Sequence, residues 1–127
     1  MPNPSDQELA SLIGESSYFI CLSRHEGFGI APIEAMSAGL TPILSDIPPF
    51  RHLIEQAGAG VLLDDGALDN GIADLLALHG RGEHEYVRRR AWVRSFVERY
   101  SWKHIADQYV DIYTALADLK VGDVTCR

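Results

Sequence analysis

The stretch SRHEGFGIAPIEAMSAG, residues 23–39, sets two carboxylates, Glu26 and Glu34, on either side of a Gly-Phe-Gly turn. Gly27 and Gly29 can take positive φ and let a ligand approach the backbone. Pro32 suits the first turn of a helix beginning near Ile30, and Gly39 suits its C-terminal cap. The free N–H groups and positive dipole end of such a helix offer a place for a diphosphate. Glu34, in the first turns of that helix, could reach back and accept hydrogen bonds from two adjacent hydroxyls, as a ribose presents. Glu26, ahead of the turn, could hold a sugar hydroxyl or steady a cationic centre. A structural reading competes: glycine makes many tight strand–helix turns, and an acid near a helix start is favoured by the dipole alone. The turn is not G-x-G-x-x-G, nor is it a P-loop, because it lacks G-K-[ST].

Such a turn must be held between a strand and a helix, and the flanking sequence supplies both. YFICL, residues 18–22, is short, continuous and apolar, which predicts a strand buried on both faces of a parallel sheet. TPILS, residues 41–45, and GVLL, residues 60–63, predict two more. Helices are predicted between and before them. Ser5 caps the first with Glu8 closing a capping box, Leu9, Leu12 and Ile13 form its apolar face, and Gly14 ends it. PPFRHLIEQAG gives another, with Pro49 near its start and Gly58 at its end. Alternation of short strands with helices predicts an α/β fold with a parallel sheet and helices on both faces. In such sheets ligands bind at the carboxyl ends of the strands, where residues 23–29 fall.

From Ala67 onward the pattern is helical. Ile72, Leu75 and Leu76 start one apolar face. Trp92, Val93, Phe96, Val97 and Tyr100 form a second, and Ser101 caps a third helix bearing Ile105, Tyr109, Ile112, Leu116 and Leu119. Core packing is the expected use of these stripes. Residues 120–127 read as a loose tail after a domain over 1–119. Arg88, Arg89, Arg90, Arg94 and Arg99 cluster on the penultimate helix. A solvated face is the plainer reading of the cluster, with contact to anionic lipid as the alternative.

Composition narrows the function classes. The chain has 127 residues, 46% hydrophobic and 23% charged, as in an ordinary soluble globular protein. Its net charge of −7 argues against a nucleic-acid partner. No apolar run approaches membrane-spanning length, and the polar start MPNPSDQE is unlike a signal peptide. Cys21, in an apolar strand, and Cys126, in a polar tail, make no disulfide framework, so a reducing cytoplasm is expected. His25, His52, His79, His84 and His104 are scattered rather than set at metal-ligand spacing, and no metal is expected.

The segment SRHEGFGIAPIEAMSAGLTPILSD resembles the signature of the group 1 retaining glycosyltransferases, which have the two-domain GT-B fold. Their mark is a glutamate pair separated by seven residues, here Glu26 and Glu34, opened by EGFG and closed by EAM and a glycine. The likeness continues through TPILS, AGAGVLL and YSW at residues 100–102, and covers roughly Ser5 to Leu119. The resemblance implies that this is part of a Rossmann-like C-terminal domain that binds a nucleotide-sugar donor. Glu34 would bind the ribose hydroxyls, and Glu26 would contact the donor sugar and act in catalysis. Gly27, Phe28 and Gly29 would flank that sugar, and the backbone from Gly27 to Ile30 would face the diphosphate. The reaction would pass a sugar to an acceptor hydroxyl with retention, through a same-face displacement of oxocarbenium character, with no metal cofactor. Polysaccharide or glycolipid synthesis is the usual setting, in the cytoplasm or peripheral to the inner face of the membrane.

The resemblance also marks what is lacking. The family's donor domain begins with further strands carrying an arginine and a lysine that clamp the phosphates, and the residues before Ser5 are too few to hold them. Three strands leave an open edge, so the missing N-terminal half is expected in cis or in trans. The chain alone is expected to be inactive. A non-catalytic assembly partner of the same fold is the alternative, and a GT-B sugar epimerase is a weaker one.

Overall fold

The computed structural model describes residues 3–122, with side chains described through Asp118. It divides into two units, residues 1–97 and 98–127. The first is built from α1 (Asp6–Glu15), β1 (Tyr18–Cys21), α2 (Ile30–Ser37), β2 (Thr41–Ser45), α3 (Pro48–Ala57), β3 (Val61–Leu63), α4 (Leu68–His79) and α5 (Glu83–Val97). The second holds a 3-10 turn, Glu98–Tyr100, and α6 (Trp102–Gly122).

Three parallel strands stand in the order β1-β2-β3. Tyr18 pairs with Thr41 and Cys21 with Leu44, while Ile43 pairs with Val61 and Ser45 with Leu63. Side chains alternate between the faces of a strand, so Thr41 and Pro42 of β2 point opposite ways. Arg89 of α5 bonds Thr41, whereas Ile54 of α3 approaches Pro42 beside Gly60. Helices therefore cover both faces of β2. Its first four residues are all buried, as the continuous apolar run predicts.

The core lies around β2. Met36 of α2, Ile43 and Leu44 of β2, Phe50 of α3 and Val93 of α5 are at most 2% exposed. Each such side chain contributes roughly 1.5–3 kcal/mol by leaving water. Gly71 lets α4 lie close on β3, since a Cβ there would stand 2.4 Å from Leu63 Cδ2 and 3.0 Å from the Leu62 carbonyl.

Several sequence expectations are corrected. β1 is not buried on both faces: it is an edge strand among those described, and Ile20 is 62% exposed. Gly14 does not end α1, which continues to Glu15 before Ser16 caps it. Tyr100 falls in the 3-10 turn rather than on α5, where Val93, Phe96 and Val97 are buried and Trp92 is half exposed. Tyr109, Ile112 and Leu116 of α6 are exposed rather than core, because α6 has only the 3-10 turn beside it within its own unit. Leu119's side chain lies outside the described residues. α6 itself runs to Gly122, so the expected tail is helical at its start. Its remainder, with Cys126, lies outside the described residues. No described helix is long and apolar enough to cross a membrane.

Candidate functional site

β1 ends at Cys21, and the chain then crosses the carboxyl edge of the sheet from Leu22 to Gly29 before entering α2. Two bonds tie this loop down. The Ser45 hydroxyl, at the end of β2, donates to the Ser23 carbonyl. The Cys21 thiol and Ser23 hydroxyl lie 3.4 Å apart. The loop thus starts from a fixed point on two neighbouring strands.

It ends at an equally fixed point. Gly29 is buried and has φ 81°, in the left-handed region that side-chain-bearing residues rarely enter. A Cβ here would stand 2.7 Å from Phe50 Cε1, so the α3 aromatic ring fills the space beneath the turn. Gly27 behaves otherwise. Its φ is not positive, and a Cβ there would meet nothing within 4 Å. Only one of the two glycines is demanded by backbone shape; the other leaves open space over the main chain.

α2 begins directly behind Gly29, and no side chain caps it. Pro32, at its third position, carries no N–H and is fully buried. The helix end therefore presents the first N–H groups, those of Ile30 and Ala31, at the carboxyl edge of the sheet. Its first turn holds no acid. Glu34 is the fifth residue of the helix, in the second turn rather than the first. Glu26 lies in the loop, and both glutamates are exposed. Phe28 and Ile30 are also open to solvent, at 56% and 66%. An apolar ring and an apolar branch thus flank the polar backbone of the turn.

Reasoning from sequence missed the residues that build the site's floor. Ser45 and Phe50 were assigned to a strand and a helix without a link to the turn. Asp46, just after β2, accepts a hydrogen bond at 2.8 Å from Arg51 Nε at the start of α3, which steadies the neighbouring carboxyl-end loop. A polar residue closing the apolar run TPILS was the one available signal for Ser45. The arginine cluster also divides. Arg89 is buried against Thr41, Arg90 and Arg94 lie over Gly39, and Arg88 is exposed. It is not one solvated face. Among the described residues no group of three or more His, Cys, Asp or Glu side chains is arranged to hold a metal ion.

The sequence profile of glycosyl transferases group 1 matches residues 2–94. The chain belongs to the group 1 glycosyltransferase family. It is 44% identical over 111 residues to the GDP-mannose:cellobiosyl-diphosphopolyprenol alpha-mannosyltransferase of Xanthomonas oryzae pv. oryzae, an alignment covering 87% of this chain and 29% of that protein. The protein of the same description from Komagataeibacter xylinus is 44% identical over 110 residues, covering 87% of this chain and 28% of the relative. The phosphatidyl-myo-inositol mannosyltransferase of Mycobacterium tuberculosis is 32% identical over 101 residues, covering 72% of this chain and 25% of the relative. The chain thus spans less than a third of the curated relatives it matches. Its parallel sheet and helices are those of a Rossmann-like C-terminal part of the GT-B fold.

Proposed function

We propose that this chain is the donor-binding part of a retaining hexosyltransferase and that its donor is GDP-mannose. The observation that carries the reading is the uncapped start of α2 behind the left-handed Gly29. It sets N–H groups with no side-chain cap, and a positive dipole end, where an open parallel sheet binds ligands. The mannosyltransferase relatives, one kind with GDP-mannose in its name, support the choice of donor.

In this reading the diphosphate lies against the backbone from Gly27 to Ile30. Glu34 accepts hydrogen bonds from the ribose hydroxyls. Glu26, with Gly27, Phe28 and Gly29, holds the mannose, and Glu26 stabilises positive charge at the anomeric carbon. The bond from that carbon to the diphosphate oxygen breaks as the acceptor hydroxyl attacks the same face. The acceptor proton passes to the departing diphosphate, giving GDP and a glycoside of retained configuration. The backbone and helix dipole meet the diphosphate charge, so the reading requires no metal.

Acceptor binding and the remaining phosphate contacts belong to a further half, in cis or in trans, and the open edge of β1 is where additional strands would pair. Lipid-linked acceptors, named in both kinds of relative, would bring the whole enzyme to the membrane surface for polysaccharide or glycolipid synthesis. Calorimetric titration with GDP, UDP and ADP tests the donor assignment. GDP binding tighter than the other two supports it; equal binding of all three, or preference for UDP, rejects GDP-mannose.

A further inference from the structure

The amino end of the sheet carries a second polar feature that the donor reading does not use. Arg89 of α5 is only 7% exposed. Its Nε donates to Thr41 Oγ1, at the first residue of β2, at 2.9 Å. Its guanidinium lies 5.8 Å from the centre of the Tyr86 ring. Its Nη1 is buried with no hydrogen-bond partner. Among the described residues Arg89 makes no ion pair. Arginine cannot shed its proton, so folding leaves a full positive charge here with an unused donor. Such a group is costly unless a counter-charge completes it.

Arg89 forms the wall between two clefts. The smaller, about 330 Å³, lies beside Tyr18, His79 and Tyr86, with Glu83 and no further arginine. The larger, about 680 Å³, gathers Arg81, Arg88, Arg89 and Trp92 against the segment Gly58–Gly60. Three guanidinium groups there face one carboxylate, Glu85, which pairs with Arg88 at 3.5 Å. Guanidinium groups gathered in this way repel one another unless an anion lies among them, and their planar forks match phosphate oxygens. The Trp92 Nε1–H donates to the Ala57 carbonyl at 2.6 Å, which fixes the indole as a flat wall suited to a sugar ring. The volume falls in the range of small-molecule sites.

We propose that this cleft binds a phosphate group carried on a small carbohydrate or a lipid headgroup. It is separate from the donor site. Gly58–Gly60 precede β3 and Thr41 opens β2, whereas the Glu26 loop leaves the opposite end of β1. The strands between span roughly 15 Å, at about 3.3 Å per residue.

The test is calorimetric titration of the full chain with inorganic phosphate and mannose 1-phosphate, against chloride at equal ionic strength. Sedimentation with phosphatidic acid vesicles and with neutral phosphatidylcholine vesicles runs beside it. Each measurement is repeated on R81Q/R88Q, whose changes are on exposed side chains, and on R89M. Thermal melts establish that each variant is folded. Saturable binding of a soluble phosphate, weakened at least tenfold in R81Q/R88Q and in folded R89M, supports the site and a soluble ligand. Binding to phosphatidic acid vesicles alone, with the same variant pattern, supports a lipid headgroup. No binding above the chloride and phosphatidylcholine controls overturns the proposal. So does binding that survives R81Q/R88Q, which would place the phosphate outside this cleft.

Discussion

Phe50 of α3 lies directly beneath Gly29, its Cε1 only 2.7 Å from where a Cβ at residue 29 would sit. One contact thereby joins the helix after β2 to the turn that ends the candidate site. Gly29 also has φ 81°. Gly29→Ala would suffer both the left-handed backbone, about 1–2 kcal/mol, and a collision with a buried ring. We expect urea denaturation to show a loss of at least that size. Gly27→Ala, with open space and ordinary φ, should stay within about 0.5 kcal/mol of the parent. Equal stability of the two variants would remove Gly29's structural role.

Thr41 is fully buried and is the acceptor for Arg89 Nε. Thr41→Val keeps the shape and removes the acceptor, leaving another buried N–H unpaired, which costs about 1–3 kcal/mol. Thr41→Ser keeps the oxygen and should recover part of that loss. Denaturant midpoints of the two variants check this; an unchanged midpoint for Thr41→Val would show that Arg89 does not need the bond.

The first helix gives a pH test. The Glu8 carboxylate accepts the Ser5 N–H at 2.8 Å and the Ser5 hydroxyl at 2.7 Å. The backbone bond first, and the hydroxyl bond second, hold the Glu8 pKa below its ordinary 4.5. A carboxyl depressed in the folded state stabilises fully above its unfolded pKa and loses that contribution as pH falls through the folded value. Glu8→Gln should therefore melt below the parent at pH 7, with the gap closing as pH falls beneath about 4. A gap that stays constant down to pH 2 would contradict the capping-box account.

The chain spans less than a third of its relatives' length, so these 127 residues in isolation should release no mannosyl product from GDP-mannose and a lipid-linked acceptor. Sustained turnover by this chain alone would show that the site needs no further half.

Much of this was legible in the sequence because local chemistry and tertiary structure agree. TPILS predicted β2 to the residue, and the Ser5–Glu8 pair predicted a capping box with both bonds present. Gly58, with φ 59°, ends α3 as expected. The failures share a cause: an apolar pattern records what a residue prefers to bury, not whether something lies beside it. Ile20 and Tyr109 carry that preference and remain exposed, one on an edge strand and one on a helix with little of its own unit around it. Arg89 fails in the opposite sense, since a run of arginines reads as solvated and one of them is buried. The turn itself was legible through Gly29, whose left-handed backbone the sequence anticipates, whereas Ser45 and Phe50 act across long sequence separations that no local spacing encodes.

The central claim is that α2 presents a nucleotide-sugar site at its start, with Glu34 on the ribose. Its most direct test is calorimetric titration of GDP-mannose into the chain and into Glu34→Ala, with melts establishing that both are folded. Loss of a charged hydrogen-bonding partner costs about 1.5–3 kcal/mol, or roughly 10- to 150-fold in Kd. The account predicts binding to the parent and a weakening of that size in the variant. Equal affinity of the two proteins for GDP-mannose would contradict it.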